Sequence, residues 1–468
     1  MAGPVMINTA DSVVVYRRRR NVELAMILVA QVIGLAGYAL THLNLDGTLP
    51  PEMLSVTMVW VGLGLALHIA VRWRAPYADP LLLPCALLLN GVGLAMIHRI
   101  DLIPDPPRHD VLTQLIWTGL GMALAVVTIV VVRDHRPLQA YTYTLFLLGL
   151  VLMMLPLVPG LGVELNGARV WIRIWRFSFQ PAEAAKFVMT IAFASYLVDK
   201  RDALAVAGPR FLGLTFPRPR DLAPLGVMLA LAMTVLVTQK DLGMSMLFFG
   251  LFVVMLYVST ERPAWLVLGG LSFAGAAFLA ASLFHHVQVR IDAWLHPFQN
   301  YDQNLQIISA QFGYAWGGLL GRGWGLGRPG LTPLAKSDFI AAALGEELGI
   351  TGLMALIMVY ALFAFRGLRT ALAARDDFST LLATGLSFLF ALQVFLIIGG
   401  VTRLTPMTGL TTPFMSHGGS SMVVNWMIVG LLLVISHQVR RPVAAPTELT
   451  LADDSTQLIP VPTAEVRP

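Results

Sequence analysis

The chain of 468 residues is 56% hydrophobic and only 13% charged, with a mean hydropathy of +0.72 and a formal net charge of +5. An ordinary soluble domain is about a quarter charged, so a soluble enzyme or a nucleic-acid-binding module is excluded, and apolar runs near the roughly 20 residues needed to cross a bilayer define a polytopic membrane protein. The single cysteine, Cys85, excludes an internal disulfide and any cysteine-based metal cluster.

In chain order, residues 1–21 form a basic amino terminus with Arg17 to Arg20 ahead of the first apolar run. No small-residue cleavage site follows that run, so it is expected to stay as an anchor. Apolar windows bounded by charge, Pro or Gly predict twelve spans, near 22–40, 53–71, 81–97, 112–132, 141–158, 184–198, 223–238, 243–258, 265–284, 339–365, 379–401 and 420–437. The fold class is thus an all-α polytopic membrane protein. Its single transmembrane domain covers 22–437, and a polar, Pro-containing tail at 438–468 is expected to be cytoplasmic and disordered. With the amino terminus inside, 20 of the 32 Lys and Arg fall on cytoplasmic segments and 11 on outer ones. Basic residues are retained on the cytoplasmic side during insertion, so both termini are expected there. This orientation puts the segments 159–183, 239–243, 285–338 and 402–419 outside, and there the chemistry is sought.

Charged groups near a bilayer are costly unless paired or facing a wet cavity, which makes each one a site candidate. Gln180-Pro-Ala-Glu183-Ala-Ala-Lys186 opens the sixth span. Pro181 suits a first helical turn, and Glu183 and Lys186, three apart, share one face. They form either a capped helix start with a local ion pair or the polar wall of a cavity. Gln239-Lys240-Asp241-Leu-Gly243 joins two spans with almost no loop and can be a simple turn. Asp338 fits an N-cap position. The adjacent acids Glu346 and Glu347, inside an apolar stretch, suggest one paired carboxylate and one facing water. Gly418-Gly419-Ser420-Ser421 after Ser416 offers backbone amides and hydroxyls at a helix start, an arrangement that holds phosphate or carboxylate, with Arg403 nearby. The stretch 285–338 holds a Gly-rich run with Arg322, Arg328 and Lys336, cations that suit an anionic partner. Its glycine spacing is not a dinucleotide fingerprint.

Together these segments resemble the FtsW/RodA/SpoVE family, the SEDS membrane glycosyltransferases. The resemblance rests on Asn166-Gly-Ala168 with Trp171, Gln180-Pro-Ala-Glu183 with Lys186, and Gln239-Lys-Asp241-Leu-Gly243. It continues through Ser337-Asp338-Phe-Ile with Gly345-Glu346-Glu-Leu-Gly349, and Gly409-Leu-Thr-Thr-Pro413 through Ser416-His-Gly-Gly-Ser-Ser421. These occur in the family's order over roughly 160–437. The resemblance implies a core of ten spans, here with two extra early helices that look like an actinobacterial variant near the rod-shape branch. It implies polymerisation of lipid II at the outer face of the bacterial plasma membrane, for elongation or division, with undecaprenyl pyrophosphate leaving and a class B penicillin-binding protein as partner. The alternatives are a lipid II flippase and a non-catalytic scaffold for that partner.

For such a reaction a positioned carboxylate must take the proton of the acceptor sugar hydroxyl. Cationic side chains or a divalent ion, Mg or Mn, must offset charge on the leaving pyrophosphate. The family's aspartate lies in the long outer loop, where this chain departs from the pattern. His296-Pro-Phe298 stands for the usual Asp/Asn-Pro-aromatic, and Gln299-Asn-Tyr-Asp302-Gln-Asn-Leu-Gln306 lacks the usual glycines. Asp302 is the acid a small loop shift could bring into place, so it is the expected general base. Glu183, Lys186, Trp171, Asn166, Arg322, Lys336, Asp338, Glu346, Arg403, Ser416, Gly418, Gly419, Ser420 and Ser421 are the expected substrate contacts.

Overall fold

The computed structural model describes residues 18–103, 108–165, 168–174, 177–201, 210–211, 214–215 and 219–442. The amino terminus to residue 17, Asn166 and most of the expected carboxy-terminal tail lie outside that set. The first helices are α1 (Arg20–Asp46), α2 (Met53–Arg74), α3 (Leu82–Asp101), α4 (Asp110–Val131) and α5 (Thr142–Met154). A small antiparallel sheet follows, with β1 (Gly162–Leu165), β2 (Ala168–Ile174) and β3 (Phe177–Phe179) in the order β1-β2-β3. Next come α6 (Pro181–Asp199), a short ribbon of β4 (Arg210–Phe211) and β5 (Leu214–Thr215), α7 (Pro219–Thr238), α8 (Leu242–Thr260) and α9 (Ala264–Leu283). The chain then forms α10 (His285–Leu295), α11 (Leu305–Gly317), α12 (Ile340–Leu372), α13 (Asp377–Val401) and α14 (Gly419–Arg440).

Ten of these segments are long and apolar enough to cross a bilayer. The other two expected spans fall on α6, which carries Glu183 and Lys186, and on α7, whose apolar part is Gly226–Thr238. Length and apolarity therefore support ten of the twelve. Two loop expectations change. Segment 159–183 contains the sheet, and 285–338 contains α10 and α11. Short stretches such as Ile172-Arg173-Ile174 pair locally and are far shorter than a bilayer span.

The centre of the bundle is α3 and α14, whose most apolar windows are 83% and 89% buried, whereas α9 is only 6% buried and faces the surroundings. Lipid chains are as apolar as Leu, so helices associate through close packing and hydrogen bonds rather than the hydrophobic effect. A Cβ on Gly34 of α1 would stand 2.8 Å from the Cα of Gly91 on α3, so glycine lets these two backbones touch.

Polar contacts sort the bundle into two ends. At one, Asp79 accepts from Arg366 Nε at 2.8 Å and from Arg440, and Arg20 donates to the Ala78 carbonyl. At the other, Lys336 pairs with Asp110, and Arg99 Nε donates to Glu347 Oε1 at 3.0 Å. The segments 239–241, 284–339 and 402–418 share this second end.

Here α12 is interrupted. Gly349 has φ 71° and ψ −177°, and the strand of chain at 318–323 plugs the gap. Arg322 N and Gly323 N donate to the carbonyls of Glu346 and Glu347, at 3.1 and 2.8 Å. In an unbroken helix those carbonyls would serve Ile350 and Thr351. Instead Ile350 N and Thr351 N donate to the carbonyls of Gly318 and Leu319, at 3.0 and 3.2 Å. A Cβ at Gly349 would lie 2.3 Å from Gly321 N. Gly349→Ala is therefore expected to cost more than about 1 kcal/mol, since it adds a clash to a left-handed conformation. Thermal unfolding in detergent, compared with Gly62→Ala in α2, where a Cβ would meet nothing within 4 Å, checks this.

Candidate functional site

The polar residues of the second end converge beneath α10 and α11. Pro181 sets the first turn of α6, and Gln180 before it is extended. Glu183 and Lys186 then project together: Lys186 Nζ lies 2.5 Å from Glu183 Oε2 and donates to Gln393 Oε1 of α13 at 2.6 Å. Both ionic side chains are essentially fully buried, at 1% and 0% exposure. Gln393 in turn donates to the carbonyl of Thr411 at 2.8 Å, so the pair is wired to the irregular 402–418 segment. Buried irregular backbone at membrane depth is tolerated only where protein groups satisfy it. Further donors do so here, with Asn90 Nδ2 on the Phe414 carbonyl and Gln114 Nε2 on the Ser416 carbonyl.

A second layer sits above. Asp241 caps α8, accepting from Met244 N at 2.9 Å, and lies 3.4 Å from Gln180 Nε2. Arg290 of α10 reaches the carbonyls of Met407 and Thr408 at 3.1 and 3.0 Å. Its charge also acts on Asp241 and Asp338. Burial pushes both carboxyls up to about 6, and Arg290 pulls each partly back. Burial also lowers the Arg290 guanidinium from its ordinary value. Two acids and one cation therefore share a site that can exchange protons near neutrality.

The sign of the resulting pH dependence follows from linkage. Carboxyls raised from 3.8 to about 6 bind more protons in the folded state. Their contribution to stability is complete below 3.8 and is lost as pH rises through about 6. Arg290→Gln is expected to move that window upward, because the charge holding both values down is gone. Unfolding temperature measured in detergent across this pH range checks it.

The remaining expected contacts take other positions. Asp338 is not the N-cap of α12, which is Phe339 without a side-chain cap bond; the helix starts later than the sequence suggests and leaves Asp338 facing Arg290. Neither Glu346 nor Glu347 is a water-facing acid. Glu347 binds Arg99 and accepts from Gly325 N at 3.1 Å, and Glu346 accepts from Arg328 N at 2.6 Å. These acids fasten the Gly-rich strap instead of waiting for a ligand. Lys336 is engaged by Asp110, and Arg403 donates to the Trp294 carbonyl, at 2.8 Å from Nη2.

The helix start at Gly418 is closed rather than open to an anion. Gly418 N donates to Gln114 Oε1 at 3.2 Å, and a Cβ on Gly419 would strike the Trp117 ring. Ser416 Oγ donates to the Ser337 carbonyl at 2.6 Å, and Ser421 Oγ accepts from Asn425, while Ser420 is buried. Arg322 is exposed, stacked on Trp316 at 4.6 Å, and Trp171 is half-buried on β2. Asp302 is exposed in the turn between α10 and α11, braced by Asn304 Nδ2 on the Pro297 carbonyl.

Sequence reasoning overlooked Arg290, Gln393 and the part played by Asp241. Gln393 gave a signal, a lone amide inside an apolar span. Arg290 gave none beyond its charge. Among the described residues no group of three His, Cys, Asp or Glu is arranged to hold a metal ion, so no step is assigned to one.

The chain matches the FtsW/RodA/SpoVE family model, described as "Cell cycle protein", over residues 80–441. It is 45% identical over 430 residues to "Peptidoglycan glycosyltransferase RodA" of Mycobacterium tuberculosis, covering 91% of this chain and 92% of that one. It is 43% identical over 449 residues to the protein of the same name from Mycobacterium leprae, covering 94% and 96%. Its fold is similar, at TM-score 0.64 and 23% identity, to a chain in a structure titled "Structural coordination of polymerization and crosslinking by a peptidoglycan synthase complex". That similarity covers 78% of this chain and 99% of the other.

Proposed function

Because this chain belongs to the FtsW/RodA/SpoVE family, we infer that it is a peptidoglycan glycosyltransferase of the bacterial plasma membrane, polymerising lipid II at the outer face. One observation supports this most. A polar core gathers at the bundle end under α10 and α11, with Glu183, Lys186 and Gln393 buried and Asp241, Arg290 and Asp338 half-buried around them. A reaction between two lipid-linked sugars needs such a polar floor at the membrane edge, next to an apolar wall for the lipid tails. In this reading both termini are cytoplasmic and the site faces outward.

Roles follow from availability. Asp302, exposed on the turn above the core, takes the proton of the acceptor hydroxyl as it attacks the donor's anomeric carbon. Lys186 is already neutralised by Glu183, and their bond to Gln393 holds the floor and the 402–418 segment in register. The exposed guanidiniums of Arg322 and Arg328 have no carboxylate partner within 4.0 Å among the described residues, and they suit the pyrophosphate of the leaving group. A class B penicillin-binding protein that crosslinks the product is the partner this reading requires. The fold shared with a component of a synthase complex is consistent with it.

The test is polymerisation of lipid II by the purified chain with its partner, with moenomycin present to silence other transglycosylases. Glycan chains are the expected product. Redistribution of lipid II across vesicles without chains would make the protein a flippase, and neither outcome would make it a scaffold.

A further inference from the structure

The opposite end of the bundle holds a cleft of about 180 Å³ where α2, α4 and α14 all finish. Three arginines, Arg74, Arg133 and Arg441, line it together with His437 and Gln438, and no Asp or Glu is among its lining residues. Of the nearby acids, Asp79 is held by Arg366 and Arg440, while Asp134, exposed outside the lining, accepts from Arg136 N at 3.1 Å. Basic residues at helix carboxy ends are favoured by the helix dipole, and that alone would explain arginines pointing into water. It does not explain Arg74, whose Nε is buried without a hydrogen-bond partner while its guanidinium stacks on Trp73 at 4.6 Å.

His437 also presents a donor. Tyr77 N donates to His437 Nδ1 at 3.2 Å, so the neutral ring carries its proton on Nε2. Gln438 uses its amide on the Arg133 carbonyl, which joins α14 to the end of α4 and keeps two of the arginines on one rim. The rest of the lining is apolar, with Ile129, Val132 and Val434 on the bundle side. Beside the cleft the Trp73 ring is 69% exposed, as expected of an aromatic at a membrane interface. Cations over an apolar wall match an amphiphile better than a free ion.

We propose that this cleft binds the phosphate headgroup of an anionic phospholipid of the inner leaflet, with Arg74, Arg133 and Arg441 around the phosphate and the acyl end against Ile129 and Val434. The leaflet, though not the binding, rests on the cytoplasmic orientation read above. Basic pockets between helices at the cytoplasmic surface recognise headgroups in this way. Bound there, the lipid would tie α2, outside the matched family region, to α14 at the bundle centre.

The experiment uses the full chain in a neutral detergent, titrated with phosphatidylglycerol or phosphatidylcholine and read by native mass spectrometry. Phosphatidylglycerol is expected to be retained in preference. Arg133→Gln with Arg441→Gln, both exposed and so replaceable without opening the core, is expected to weaken that retention about tenfold or more, and Lys at both positions should keep most of it. Equal retention of the two lipids, or equal retention by wild type and the Gln variant, would overturn the proposal. Displacement of the lipid by inorganic phosphate would overturn the lipid assignment in favour of a free anion. Detergent exposes both ends, so none of these results depends on orientation or on glycosyltransferase activity.

Discussion

Asp302→Ala is expected to abolish glycan polymerisation by the purified chain with its partner. A positioned general base contributes about 10²–10⁴-fold, so the loss should exceed that of any single change among the strap residues. The folded state should hardly notice. The Asp302 side chain is exposed, and its turn is held by Asn304 on the Pro297 carbonyl rather than by the carboxylate. An unchanged unfolding temperature with lost product would separate chemistry from misfolding. Asp302→Glu should retain part of the rate. Normal glycan chains from the Ala variant would remove Asp302 from the mechanism and direct attention to Asp241 and Asp338, the acids that titrate near neutrality beside Arg290.

Lys186→Met is expected to be the most destabilising single change in the core, by about 3–5 kcal/mol, because it strands a buried carboxylate. Glu183 is 1% exposed and its only close cation is Lys186 among the ion pairs of the described residues. The same change removes the donor to Gln393, whose own amide anchors Thr411. Met is close to Lys in volume, so little of the effect should come from a cavity. Adding Glu183→Gln is expected to restore most of the loss, since a neutral amide is far cheaper to bury than an orphaned charge. Thermal unfolding of single and double variants in detergent decides it. A double variant less stable than Lys186→Met alone would mean that the pair is not the coupled unit described.

Much of the fold was legible because lipid solvation leaves a strong trace. Apolar windows bounded by charge found every long helix, including the charged α6. The i,i+3 spacing placed Glu183 and Lys186 on one face, and the structure pairs them. What failed to show depends on partners far apart in sequence. Glu346 and Glu347 look like one paired acid and one facing water until Arg99, 248 residues from Glu347, and the Arg328 amide arrive to satisfy both. Gly418 to Ser421 look like an anion cradle until Gln114 occupies the amide, 304 residues away. Arg290 acquires its position from α10 folding back over Met407 and Thr408, which no local pattern announces. The short sheet escaped because its strands, of three to seven residues, are far shorter than a span.

The interruption at Gly349 makes spacing, and not only composition, part of the outer architecture. Gly318 and Leu319 accept from one side of the break while Arg322 and Gly323 donate to the other. The two halves of the exchange are thus a fixed number of residues apart on both stretches. An insertion or deletion between them would slide donors past acceptors and leave both stretches with unanswered amides, much as a misaligned zipper jams. Related sequences that keep this joint should accordingly hold the length of the 318–323 stretch constant and vary in length outside it.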